Sequence, residues 1–504
     1  MEFLDPKKQR EHLIRLFIGY ALIATALILT TIILLYQANG FGIKNGEVIQ
    51  SGLVFMSSSP NPADIYVNGQ KRPEQTNSRL LMPAGQYVFE LQRTGYESWK
   101  RAVSVEGGTV IRFDYPMLIP SKLQTTIEHK YDIPPSVVTE SPDRHWLLLQ
   151  ANPSYNVFDI ADISKPFKTP VIQTINLPND ISTLAGMQTW KTIEWSNDNQ
   201  HVLMQHIVTD ASGKVSSEYI LIDRQNPDKS VNLTNTLGVN PTQIEMQDKK
   251  YDKYFLYTQD DRKLWTATLD QPKPVQLLDH ILAYKTYGMD MVLYVTDKDA
   301  PMGKTSIRLL DGTKTYTIRQ TTPSPTYMLE LTKYQNDWYL VAGASIENRT
   351  YVYKNPMDAL DNNPSLPLVP VQVVKVANPN YVAFSDDARL IMIENGQQFG
   401  MYDAQNKKGY AYSTGKPIDA PQAHAEWMDG AHVAFISSGK TYMFDFDNTN
   451  QHVLTNTDSA YGSFFDKNYQ MLYGFTTQAI KTTDGKDAVQ IVLNGTALVT
   501  PADQ

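Results

Sequence analysis

From about residue 121 onward the sequence repeats itself. A polar turn followed by an apolar strand recurs as SPDRHWLLLQ (141–150), SNDNQHVLMQ (196–205), SDDARLIMIE (385–394), MDGAHVAFIS (428–437) and FDKNYQMLYG (465–474). Weaker copies are DKYFLYT (252–258), GMDMVLYV (288–295) and QNDWYLVA (335–342). Each is followed by a second strand that often closes on Asp, as in YNVFDI, YILID, IRLLD and GMYD, and then by a third, as in VIQTINL, VQLL and HVLT. The mean step is about 46 residues, within the ~40–50 residue period of propeller blades. A blade cannot bury both faces alone, so it stacks on the next, and a ring of blades leaves no long free edge. The reading for residues 121–504 is therefore a β-propeller of about eight blades, with seven as the alternative if the weak copies near 254 and 291 share one.

The turn itself carries a pattern. Ser141, Ser196 and Ser385 each stand two residues before Asp143, Asp198 and Asp387. Such side chains bond their own backbone and close a turn. This S-x-D turn resembles the Ser-Pro-Asp-Gly turns of Tol-type and prolyl-oligopeptidase-type propellers, a resemblance that implies architecture and no substrate.

Ahead of the repeats lies a smaller unit. LVFM, ADIYVNGQ, QYVFELQ, RAVSV and VIRFDY alternate apolar and polar residues at period two, which predicts about five strands over 51–119. Asn68-Gly69 is a two-residue hairpin signal, and Tyr87, Phe89 and Leu91 share one face. Gly85 and Gly95 are read as turn glycines. The order Pro62-Ala63-x-Ile65-Tyr66-Val67-Asn68-Gly69, then Leu81-x-Pro83-x-Gly85-x-Tyr87, then Gly95-Tyr96 and Trp99, resembles the PEGA domain of envelope proteins. Pro83-Ala84-Gly85 departs from the run that names that family. The resemblance implies a small extracytoplasmic β-sandwich of structural or binding type, with no catalytic residues.

Residues 16–36, LFIGYALIATALILTTIILLY, hold six Leu, five Ile and one Phe with no charge. A helix of this length spans roughly 30 Å, the thickness of a bilayer's hydrocarbon core. Lys7, Lys8, Arg10 and Arg15 precede it, whereas only Lys44 follows closely. The positive-inside bias makes residues 1–15 a cytoplasmic tail, 16–36 a single transmembrane helix, and the rest an all-β ectodomain outside the cell membrane. A cleaved signal peptide is the rival reading, but such apolar regions run ~7–15 residues and end at a small-x-small site. Residues 37–50, Gly- and Asn-rich and without periodicity, are read as a spacer leaving the membrane.

Composition narrows the function. The 504 residues contain no Cys, so thiol chemistry and disulfides are excluded. Net charge is −8 and no basic cluster occurs beyond the N-terminal tail, which argues against nucleic acid. There is no G-x-S-x-G elbow and no H-E-x-x-H, and the seven Trp are too irregular for the docking motif of eight-bladed quinoproteins. His145, His201 and His432 each precede a strand of separate repeats and are read as turn-edge residues, not as converging metal ligands. Asp445-x-Asp447-Asn448-x-Asn450 and Asp297-x-Asp299 lack the Gly and Glu of a calcium loop and are also read as turns. No catalytic residue, cofactor or metal is therefore assigned.

Two classes of function remain: a binding or scaffold protein of a prokaryotic envelope, taking a glycan or a protein partner, and an enzyme acting on envelope glycan. The first is favoured, because the second needs convergent acid–base groups that Asp residues scattered on turns do not supply. Segments 206–218, 296–306 and 476–488 read as long polar insertions between the second and third elements, hence on one face of a ring. They offer Asp210, Lys214, Asp297, Asp299, Lys304, Lys481, Asp484 and Lys486 as a binding rim. With the ectodomain outside, protease added to intact cells should digest most of the chain and spare a short N-terminal fragment; a fully protected chain contradicts the topology.

Overall fold

A computed structural model describes residues 6–38, 41–44, 47–364, 367–422, 424–481 and 487–504. The chain divides into two compact units, Met1–Lys122 and Leu123–Ala502.

The first unit begins with helix α1 (Pro6–Ala38), which takes in basic residues that the sequence reading left in the tail. Its stretch Arg10–Leu35 is long and apolar enough to cross a membrane. Leu and Ile side chains are exposed all around it, and Thr25, Thr30 and Thr31 return their hydroxyls to carbonyls four residues back at 2.8 Å. No hydroxyl of those threonines is left to seek water, as a lipid-facing helix requires.

The expected spacer is instead partly β-structure: β1 (Phe41–Lys44) pairs antiparallel with β2 (Glu47–Met56). Residues 45–46 lie outside the described residues. The unit continues with β3 (Asp64–Val67), β4 (Gln70–Gln75), β5 (Ser78–Pro83), β6 (Gly85–Gln92), β7 (Trp99–Val105) and β8 (Val110–Phe113). β2 pairs with β1, β5 and, in parallel, β8; the second sheet runs β4-β3-β6-β7. Pattern reading missed β4 because QKRPEQ has no apolar alternation; it is an edge strand, where Pro73 and charges are tolerated. Val54, Ile65, Leu80, Phe89, Leu91, Trp99 and Phe113 fill the space between the sheets. Asn68 and Gly69 have φ of 50° and 78°, as a two-residue turn between β3 and β4 needs. Gly95 also has positive φ, but Gly85 does not: it opens β6 beside the Tyr87 ring.

The second unit is a succession of four-stranded sheets, eight among the described residues. Seven are consecutive meanders over 137–176, 187–232, 243–278, 281–321, 327–374, 381–413 and 426–456. The weak copies near 254 and 291 fall in different sheets, the third and the fourth. The eighth sheet is composite. Its strands Ser463–Phe465, Met471–Lys481 and Asp487–Ala497 are joined by β9 (Gln124–Tyr131), the first strand of the unit. Apolar clusters sit astride successive sheets. Leu148 and Phe158 of the first meet Trp190 and Val202 of the second, and Leu203 and Tyr219 of the second meet Ile244 and Leu256 of the third. Tyr473, Phe475 and Leu493 of the eighth pack on Leu147, Leu149 and Ala161 of the first. Packing that returns to its start makes the unit propeller-like.

Deleting residues 123–131 removes a whole strand from the closing sheet and bares the edge of 487–497. The shortened second unit should unfold at least 10 °C lower and less cooperatively than 123–504, measured by circular dichroism. Equal melting curves would mean that closure does not depend on β9.

Candidate functional site

The Ser-x-Asp turns join the first strand of a sheet to its second. Ser141 Oγ donates to Asp143 Oδ1 at 2.6 Å and accepts from the Trp146 amide at 3.1 Å; Ser385 does the same with Asp387 at 2.7 Å and Leu390 at 3.0 Å. Arg144, Asn199, Ala388 and Tyr469 occupy the same turn position, all with φ between 56° and 63°. At the start of the second strand in several sheets stands a His or Arg that pairs with the Asp closing the third. His201 lies 3.6 Å from Asp223, Arg389 2.7 Å from Asp403, and His432 3.4 Å from Asp445. The turn aspartates hold the same rings: Asp198 is 2.6 Å from His201 and Asp429 2.7 Å from His432. Among the described residues the His145 ring pairs with Asp143 alone, at 3.3 Å. These histidines are thus engaged sheet by sheet. Burial alone disfavours the His432 imidazolium, but the Asp429 charge and hydrogen bond, with Asp445, outweigh it and raise its pKa to about 10.

The site that the sequence reading did not find lies along the first strands. Met187–Trp195, Gln243–Met246, Ile281–Tyr287, Tyr327–Tyr334 and Tyr381–Phe384 succeed one another around a cavity of about 910 Å³. Their polar side chains stitch one sheet to the next across it. Glu194 accepts from the Met246 amide, Thr286 Oγ1 donates to Glu245 at 2.8 Å, and Lys285 Nζ lies 2.9 Å from Glu330. Burial, reinforced by the charge of Glu245, pushes the Glu194 carboxyl up to about 7 even though the Met246 amide favours the anion. Lys285 is desolvated, yet Glu330 and the other two glutamates hold its pKa above the ordinary range. Three lysines (Lys191, Lys249, Lys285) face four carboxylates (Glu194, Glu245, Asp248, Glu330) around the cavity. A signal for this lining is present in the sequence. A glutamate stands just ahead of the repeat turn in Glu194-Trp195-Ser196 and Glu245-Met246, which line the cavity, and in Glu140-Ser141 and Glu426-Trp427-Met428, which line a separate pocket beside Arg144.

The face that carries the turns is knitted together. The Asp143 amide donates to Asn199 Oδ1 at 3.0 Å, Asn197 to the Lys249 carbonyl at 3.0 Å, and Asp248 to the Gly288 carbonyl at 2.9 Å. Arg144, from the first sheet, donates to the Met428 carbonyl of the seventh at 2.7 Å. It also reaches Asp386 of the sixth at 3.5 Å and covers the Tyr469 ring of the eighth at 4.9 Å. Beneath it the Glu140 carboxyl is raised to about 8 by burial, with Glu426 and Asp466 adding to the effect that Arg144 opposes.

The described rim residues stand on or beside second-to-third connections, in three separate sheets. Segment 206–218 is mostly strand, His201–Thr209 and Val215–Asp223, and only 210–214 turns. The expectation of a long loop there is overturned by His206: it is fully buried, bonded to Glu218 at 2.8 Å and Gln188 at 2.7 Å, and stacked on Tyr155 and Trp190. Asp210 closes its own turn, accepting from Ser212 and from the Lys214 amide, and the Lys214 side chain is exposed. In the fourth sheet the connection 297–304 places Asp297 2.6 Å from Arg262 of the third sheet. Asp299 there has a φ of 56°, and Lys304 lies 3.4 Å from Thr322. The described parts of 476–488 are likewise strand; Lys481 ends Met471–Lys481, and Asp484 and Lys486 lie outside the described residues. Asp447 accepts from Thr449 and Asp445 from Asn450, as turn residues do.

Residues 51–118 match the family model of the PEGA domain. No curated protein matches the chain. Solved structures similar to it include the dihydro-heme d1 dehydrogenase NirN, at 12% identity over 63% of this chain and 65% of that one, with a TM-score of 0.40. Hsv2p of Kluyveromyces lactis is 9% identical over 72% of this chain and 98% of that one, TM-score 0.35. The WD40 domain of SCAP from fission yeast is 8% identical over 62% and 89%, TM-score 0.34. Neither substrate nor partner follows from likenesses at this level.

The His432 contact sets a pH dependence. Its folded pKa of about 10 exceeds the ordinary 6.5, so its contribution is complete below pH 6.5 and fades as pH rises toward 10. Glu140 and Glu194, raised from 4.5, act in the same direction, their neutral forms being favoured by folding until pH passes 7–8. Thermal stability should therefore fall from pH 6.5 to 10. His432→Gln should cost about 3–5 kcal/mol at pH 6.5, with the difference from wild type shrinking toward pH 10. A pH-independent difference would refute the buried imidazolium.

Proposed function

We propose that the chain is a membrane-anchored, extracytoplasmic binding or scaffold protein of a prokaryotic cell envelope, and that its ligand contacts lie in the channel of the second unit. The observation that carries this reading is the 910 Å³ cavity lined by the first strands, a size within the ~300–1,000 Å³ of small-molecule sites. The PEGA match and the apolar helix support the envelope setting, with residues 1–15 inside and the β-structure outside. Asn197, Asp248, Lys249 and Gly288 of the first-to-second turns line the cavity, so entry is from the turn face beside the span of Arg144, and Asp210, Lys214, Asp297, Asp299, Lys304 and Lys481, on the second-to-third side, are a separate, secondary contact surface. The Ser-x-Asp turns support kinship with Tol-type propellers.

A second reading has its own observation. Glu194, held protonated to about pH 7, shares the cavity with Glu245 and Glu330, and a proton donor beside a carboxylate is the pairing that glycan hydrolysis uses. Glu194→Gln would then abolish release of new reducing ends while leaving binding intact; no release by the wild-type chain removes this reading.

Gln243 is exposed at the cavity wall, so Gln243→Trp fills space without disturbing the core. For any ligand isolated with the full chain in nanodiscs, this substitution should weaken binding at least tenfold at an unchanged melting temperature. Unchanged affinity would move the site to the rim or to the first unit.

A further inference from the structure

Resting on that channel reading, we infer that the cavity takes an uncharged, hydroxyl-rich chain: a neutral oligosaccharide. The charged groups that line it are mostly satisfied within the protein. Lys285 is paired with Glu330 at 2.9 Å, Glu245 accepts from Thr286 at 2.8 Å, Glu194 accepts from the Met246 amide, and Asp248 lies 3.1 Å from Lys250. Three lysines against four carboxylates leave almost no net charge to attract an ion. A strongly anionic ligand would face the glutamates, and a strongly cationic one would compete with Lys285 for its partner.

Among the described residues Lys191 and Lys249 are exposed and make no side-chain ion pair; the rest of what remains available is neutral and amphipathic. Among the described residues, the side chains of Gln243 and Thr332 make no hydrogen bond, and Gln205 makes only a 3.3 Å contact to Ser217. Amide and hydroxyl groups of this kind donate and accept at once, which matches the paired donor–acceptor character of sugar hydroxyls. Tyr287, 37% exposed, and Phe384, half-buried, bring aromatic surface to the same wall, and the C–H faces of pyranose rings pack on such surfaces. Tyr287 and Phe384 stand two sheets apart, on the fourth and sixth, with Thr332 on the fifth between them. The wall thus offers aromatic, polar and aromatic surface in order, suited to a chain of rings more than to a single one.

The test uses the full chain in lipid nanodiscs, titrated calorimetrically with short cello-, malto- and chito-oligosaccharides, oligogalacturonate, oligolysine and oligoglutamate. At least one neutral oligosaccharide should bind, with an affinity that changes less than about twofold between low and high salt, since screening acts on charges. Tyr287→Ala and Gln243→Ala should each weaken that binding about three- to tenfold at an unchanged melting temperature. Salt-sensitive binding of oligogalacturonate, oligolysine or oligoglutamate in preference to neutral sugars, lost in Gln243→Trp, overturns the ligand class and leaves channel binding standing. If none of the probes binds, or if the wild-type affinity survives in both alanine variants, the inference is overturned; binding that also survives Gln243→Trp overturns the channel reading with it.

Discussion

Everything in the second unit depends on the pairing of β9 with the last strand of the eighth sheet. Ile491 faces Tyr131 at one end of that ladder and Ala497 faces Gln124 at the other. Thr125 and Thr496, whose hydroxyls meet at 2.9 Å, are 371 residues apart in sequence. Closing a loop of that length costs about 5 kcal/mol of chain entropy. No single pair of hydrogen bonds offsets this, but the ladder together with the apolar contact of Tyr473, Phe475 and Leu493 on Leu147 and Leu149 can. Without it the first and the last sheets would each present an unburied apolar face.

Closure also explains why the repeat turns carry so many charged side chains. Each first-to-second turn has to be held against the end of the third strand, and in the second, sixth and seventh sheets a His or Arg side chain against the closing Asp does so. Buried ion pairs of this kind contribute modestly to stability but are costly to break on one side. They fix the turns in place, and fixed turns allow Arg144 to reach Met428 across the same face.

The cavity follows from the same geometry. Sheets that stack around a ring diverge outward and crowd inward, so the first strands meet around a channel whose walls are side chains and not a packed core. Glu194 there is partly dehydrated and feels the charge of Glu245, which is why it holds its proton to about pH 7. The cross-sheet contacts of Glu194, Glu245 and Lys285 serve two ends at once: they lock neighbouring sheets and they neutralise the wall.

The sequence by itself determined the periodic part. A strand of apolar residues after each polar turn must be buried on both faces, so Leu147–Leu149, Val202–Met204 and Leu390–Ile393 were legible as second strands, and the Ser-x-Asp turns before them as turns. The uncharged run 16–36 determined a helix, and the alternation through Tyr87, Phe89 and Leu91 determined the strands of the first unit. Three things were decided only by tertiary structure. Segment 206–218 looks like a polar insertion because His206 and Glu218 are polar; they are buried because Trp190 and Tyr155 stack on the ring and each polar atom finds a partner. β9 has no local mark of its destination, since its partner lies at the far end of the chain. The first strands were invisible because a strand with one side toward a polar channel needs few apolar residues, and Glu194, Glu245, Lys285 and Glu330 become a site only when the ring brings their sheets together.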